Sequence, residues 1–118
     1  MANADRDSAL VTIANGQSLS DAADVRRQRI VGILMPASWT TASLTFQGSH
    51  DGTTYRDVYD GDGNELTVPA AASRAIGLNA EQQLTLCGWN FLKVRSGTAG
   101  SAVNQGAARE LTLTLEPL

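Results

Sequence analysis

The stretch from Ala42 to Val68 holds the residues whose types and spacing could do chemistry. Asp60-Gly61-Asp62-Gly63-Asn64-Glu65 sets oxygen ligands at alternate positions, as in the D-x-D-x-N opening of a calcium loop. The pattern then departs from that loop. Glu65 stands at the sixth position, where glycine makes the sharp turn, and Ala71 at the twelfth, where a bidentate glutamate closes the site. Asp60, Asp62 and Asn64 are therefore calcium candidates, while the same composition also suits a tight turn that needs no ion.

The remaining candidates are few. His50, the one histidine, falls at the tip of a hairpin, where a supported catalytic base is hard to build. It reads as a solvated turn residue. The carboxylates Asp57 and Asp60 sit on or beside a hairpin end, with no neighbour in sequence that would lift either pKa for acid–base work. No G-x-x-x-x-G-K-[ST] phosphate loop occurs. Cys87 is the single cysteine, so an internal disulfide and an all-cysteine metal site are excluded. It is expected to be a small buried apolar side chain. Tyr55, Tyr59, Trp39 and Trp89 either line a sugar platform or belong to the core. Arg26, Arg27 and Arg29 form either a solvated strand edge or a contact patch for a protein or anionic partner. Trp39 is either a lid over the end of the fold or an exposed contact residue. No enzyme, cofactor or resident metal is expected from this inventory.

Composition sets the class of the elements that must hold these residues. The chain has 118 residues, one ordinary domain, with 12 acidic and 9 basic side chains and a net charge of −3. The basic residues are scattered, which argues against nucleic-acid binding through phosphates. No apolar run approaches the roughly 20 residues of a membrane span. The opening MANADRDSAL is polar and lacks the hydrophobic region of a signal peptide, so synthesis without export by the general route is expected. Aromatic residues make up only 5%, so leucine, isoleucine and valine must fill the core.

Turn residues recur along the whole chain, and period-2 alternation dominates the runs between them. Val11 and Ile13 share one face of the first strand, with Leu10 and Thr12 on the other. Asn15-Gly16 marks a turn, with Gln17–Ser20 returning, and Ser20–Asp24 suits one short helical turn. Arg29–Met35 is nearly continuous in apolar residues, as in a strand buried on both faces or covered outside by a subunit. Ala42–Ser49, Thr53–Tyr59 and Glu65–Val68 form a three-strand meander around His50-Asp51-Gly52 and the Asp/Gly cluster. Ala75–Leu78 suggests a short strand, and Asn79–Leu86 one helical turn. In Trp89–Ser96, Leu92 and Val94 share a face opposite Phe91, Lys93 and Arg95. Gly97–Gly106 is a long loop with the character of a contact loop. In Arg109–Glu116, Leu111, Leu113 and Leu115 point in, and Thr112 and Thr114 point out. The expected fold is all-β: a single antiparallel sandwich of about eight strands over residues 8–118, preceded by a flexible or partner-docked arm over 1–7.

Two stretches carry a resemblance. SLTFQGSHDGTTYRDV and the later WNFLKVRSG resemble the S-x-DGT-(F/Y)-x-D hairpin and the (Y/F)-L-K-V-R-S-G strand of small virion structural proteins of tailed bacteriophages, over about Ile30 to Leu115. The same signals resemble galactose-binding-like jelly rolls of the discoidin type. The resemblance implies a jelly-roll-like sandwich and a non-enzymatic particle component, foremost a capsid decoration, or cement, protein that binds the major capsid protein. It would be assembled in the host cytoplasm and reside on the capsid surface. It implies a homo-oligomer, for which a trimer would suit local three-fold positions. The alternative is a carbohydrate- or receptor-binding module of a tail or head fibre, with Trp39 and Tyr59 as its exposed aromatics.

Overall fold

A computed structural model describes residues 7–118. The strands are β1 (Asp7–Ile13), β2 (Leu19–Asp24), β3 (Gln28–Leu34), β4 (Leu44–Ser49), β5 (Arg56–Asp57), β6 (Ala75–Gly77), β7 (Phe91–Ser96) and β8 (Arg109–Pro117). One helix, α1 (Ala80–Leu86), joins β6 to β7. The strands form two antiparallel four-stranded sheets, ordered β1-β8-β3-β6 and β2-β7-β4-β5. Almost every link crosses from one sheet to the other, and only β4–β5 stays within its sheet. This double-sheet order is that of a jelly roll. The arm expected over 1–7 lies outside the described residues except for Asp7, which opens β1.

Alternation builds the core as the sequence predicts. Val11 and Ile13 of β1, Leu44 and Phe46 of β4, Leu92 and Val94 of β7, and Leu111, Leu113 and Leu115 of β8 are fully buried between the sheets. Each such side chain contributes about 1.5–3 kcal/mol on leaving water. Among the described residues Phe46 is the one aromatic buried to this degree, as a chain poor in aromatics requires.

The structure corrects or narrows several local expectations. Ser20–Asp24 is part of strand β2 rather than a helical turn, because Ala22, Ala23 and Asp24 pair with Lys93, Leu92 and Phe91. Sheet pairing outweighs the weak helix preference of the alanines. A bulge between Leu19 and Ala22 breaks the ladder there, and the Ser20 hydroxyl takes over by accepting from the Val94 amide at 2.9 Å. Strand β3 is not covered on both faces by this chain. A register shift between Ile30 and Gly32 turns Ile30 and Ile33 inward and leaves Leu34 outside, 47% exposed. The second arm of the meander is paired only at Arg56 and Asp57, and its third arm is reduced to the bridges Tyr59–Glu65 and Leu44–Val68. Cys87 is half-buried, with its thiol 3.3 Å from the Leu84 carbonyl.

Helix α1 is longer than one turn. Asn79 caps it by accepting from the Gln82 amide at 2.8 Å, and the Gln82 side chain accepts from the Asn79 amide at 3.0 Å. This reciprocal capping box satisfies two donors that the first turn leaves orphaned. The Gly97–Gly106 loop is tied down as well. Gly97 has φ +89°, and a Cβ there would come within 2.6 Å of the Ser101 carbonyl, so only glycine fits. Gln105, within the loop, turns its side chain inward to a buried position, accepts from the Thr40 amide at 2.8 Å, and donates to the Ser96 hydroxyl at 2.7 Å.

Candidate binding cleft

The β4–β5 hairpin and Trp89, three residues beyond the end of α1, line a cleft. His50-Asp51-Gly52 forms the hairpin tip. Asp51 Oδ1 accepts from the amides of Thr53 and Thr54 at 2.8 and 2.9 Å and from the Ser49 hydroxyl at 3.1 Å. These donors favour the ionised carboxyl and hold its pKa near 2, with the Thr54 amide the largest contributor. The Ser49 hydroxyl in turn accepts from the Gly52 amide at 2.9 Å. The tip is thus a rigid rim rather than a loose loop.

Gly48 explains the far wall. It lies on the inward face of β4, opposite Leu92 and Arg56. Without a side chain there, the indole of Trp89 settles onto the strand. A Cβ at Gly48 would reach 2.8 Å from Trp89 Cγ. The Trp89 Nε1–H donates to the Thr85 carbonyl of α1 at 3.2 Å, which fixes the ring plane. The resulting cleft has a volume of about 460 Å³. Val58 forms its floor, Trp89 and Tyr59 its walls, and His50, Asp51 and Arg56 its rim. Trp89 and Tyr59 are 40% and 54% exposed.

A charged network supports the floor from the outer face of the second sheet. Arg95 is only 7% exposed, although period 2 sets it on that outer face. Its guanidinium donates to Asp57, to Glu65 Oε2 at 3.2 Å and to Thr45 Oγ1 at 3.3 Å. Gln47 adds a bond to Asp57 at 3.2 Å, and Glu65 accepts from the Ala99 amide at 3.1 Å. The Arg95 hydrogen bond holds the Asp57 carboxyl below the ordinary carboxylate range, against the opposing effect of burial. Lys93 lies beside this network, 4.4 Å over the Tyr55 ring. The network joins β7, β5, the 60–65 turn and the start of the 97–106 loop.

His50, Tyr59 and Trp89 of the sequence candidates line the cleft, and the calcium, arginine and Trp39 candidates fall elsewhere. Asp60 is used by its own turn, where Oδ1 accepts from the amides of Asp62 and Asn64 at 2.9 and 3.0 Å. Carboxylate oxygens of Asp60, Asp62 and Glu81, the last from the first turn of α1, lie within 4.8 Å of one another. Arg26 pairs with Asp24 at 2.6 Å and lies 5.3 Å over the Phe91 ring. Arg27 is exposed at φ 62°, and Arg29 pairs with Glu116 at 2.6 Å. Arg26 and Arg27 share a shallow polar groove with Asp24, Gln28 and Pro117. Trp39 takes the lid role of its two readings: it packs half-buried against the core, and its Nε1–H donates to the Ala42 carbonyl at 3.0 Å. Tyr59 is exposed rather than part of the core, and the aromatic that lines the cleft with it is Trp89, not Trp39. The signal for that pairing was Gly48, since a glycine inside a strand often marks the close approach of another group. No family model matches this chain, and no curated protein or solved structure matches it either.

Proposed function

We propose that this chain is a non-enzymatic structural protein of a tailed-bacteriophage virion, a capsid decoration protein that binds the major capsid protein and stabilises the head as a homo-oligomer. The sequence resemblance over Ile30–Leu115 points to that class. The observation that carries the reading further is the outer face of the β1-β8-β3-β6 sheet. Leu10, Thr112, Leu34 and Ala75 stand in one row across the four strands. Ser8, Thr114, Gly32 and Gly77 form the next row. None of these eight side chains is charged, and Leu10 and Leu34 are 58% and 47% exposed. Two uncharged, partly apolar rows, bounded by Glu110 on one side and the Arg29–Glu116 pair on the other, are suited to protein contact. Covering each leucine contributes on the order of 1 kcal/mol. That is weak for a single contact, and many copies on a symmetric lattice turn it into tight attachment.

The test uses heads purified without this protein. Added protein should co-sediment with them and raise the temperature at which they release DNA. Leu34→Asp should weaken co-sedimentation at least about tenfold, the 1.4 kcal/mol equivalent of losing the contact. Its thermal melt should stay close to that of the parent, because position 34 is already in water. Failure of the parent protein to bind such heads would reject the reading.

A further inference from the structure

We propose that the cleft between Trp89 and Tyr59 is a saccharide site that takes a neutral pyranose, with the sugar's C–H face on the indole and its hydroxyls on Arg56, Asp51, His50 and Tyr59. This inference goes beyond the decoration role and does not rest on it.

Three observations favour that ligand. The walls are aromatic, and the Trp89 wall is already in place. Trp89 is seated on Gly48 and held by Thr85, so little side-chain freedom is lost when a ring stacks on it. The rim offers both kinds of hydrogen-bonding group. Among the described residues the Arg56 side chain forms no ion pair, and its one hydrogen bond is a 3.4 Å contact to the neighbouring Tyr55 carbonyl. Its donors are therefore available. Asp51 keeps its Oδ1 on the hairpin amides and presents Oδ2 as an acceptor. The Tyr59 hydroxyl and His50 imidazole each donate and accept. Finally, the rim carries charges of both signs. An anionic ligand would meet Asp51, and a cationic one Arg56. A neutral polyol can hydrogen-bond to all of them without that penalty. A cleft of about 460 Å³ lies within the roughly 300–1,000 Å³ typical of small-ligand sites.

The cleft opens at the β5 edge of the second sheet, whereas the Leu10–Leu34 face belongs to the first. A copy attached through the first sheet would leave the cleft free to hold a glycan.

The experiment screens the full chain against an array of neutral and acidic mono- to tetrasaccharides, and then titrates the hits by two-dimensional NMR. A neutral saccharide should bind with Kd on the order of 1 mM, a common strength for a few contacts at one site. The Trp89 indole N–H resonance should move during the titration while that of Trp39 stays still. Tyr59→Ala and Arg56→Ala, both at exposed positions, should each weaken binding about tenfold or more without changing the thermal melt. Three results would overturn the proposal: no saccharide binds, only acidic saccharides bind, or binding survives both substitutions undiminished.

Discussion

Arg95→Ala is expected to lower the free energy of unfolding by about 3 kcal/mol at neutral pH, as when one partner of a buried ion pair is removed. The substitution strands two carboxylates. Asp57 and Glu65 converge on one guanidinium, and their side chains are 33% and 15% exposed. Water can reach Asp57 in part, so the cost falls toward the lower end of the range for fully buried pairs. Arg95→Lys should be intermediate, because one ammonium cannot reproduce the fork that reaches Asp57, Glu65 and Thr45 together. The loss should also depend on pH. Asp57 is more acidic in the folded chain than the ordinary value of about 3.9, so around pH 4 the unfolded chain binds more protons. Its contribution is complete above that pH and disappears as the pH falls through the lower folded value. Urea titrations at pH 7 and pH 3 should therefore show the gap between parent and Arg95→Ala narrowing at pH 3. A gap below 1 kcal/mol at pH 7, or one of equal size at both pH values, would refute the account.

Gln105→Ala should cost about as much, for a different reason. The side chain is 1% exposed and all of its hydrogen-bonding capacity is engaged. Oε1 accepts from the Thr40 amide at 2.8 Å and from Arg109 Nε at 3.1 Å, while Nε2 donates to the Thr40 carbonyl at 3.0 Å and the Ser96 hydroxyl at 2.7 Å. Truncation leaves several buried polar groups without partners, each at about 1–3 kcal/mol before relaxation. A net loss of about 3 kcal/mol corresponds to a fall in Tm of roughly 10 °C for a domain of this size. Gln105→Glu keeps the shape but removes both donors, and should not rescue. Calorimetry together with limited proteolysis checks the mechanism: cleavage of the variant should begin within 97–106. A variant that melts with the parent would show that the latch is dispensable.

These two networks also show where the sequence stops being legible. Alternation in β7 and β8 is a local property, so the inward Leu92, Val94, Leu111, Leu113 and Leu115 could be read directly. Alternation also assigns Arg95 to the outer face. It cannot reveal that the 60–65 turn folds back over that face and brings Glu65 with it, because such burial depends on a contact 30 residues away. Ser20–Asp24 failed for the same reason, its partners lying in β7. The strand order was beyond reach because almost every link crosses between sheets, and a short link does not say which sheet it enters. Of the cleft, the sequence shows the Asp-Gly hairpin and names Tyr59 and Trp89 among four aromatic candidates, without showing which of the four meet. Trp89 became part of it only when Gly48 and the end of α1 were brought side by side.

The pairing of the first and last strands has a mechanical consequence. Asp7 lies opposite Leu115, and Ile13 opposite Arg109, so the outer ends of β1 and β8 leave the sandwich at one pole. Hydrogen bonds in an antiparallel pair run perpendicular to the strands. Tension applied through Asp7 and Pro117 would therefore load those bonds one after another, as in a zipper. Tension applied between Asn15 and Pro117 would load them together, in shear. In an optical trap the first geometry should yield at clearly lower force than the second, and equal forces would show that this pair does not set the molecule's resistance. A protein of this kind would carry load well along its strands and poorly between its two ends.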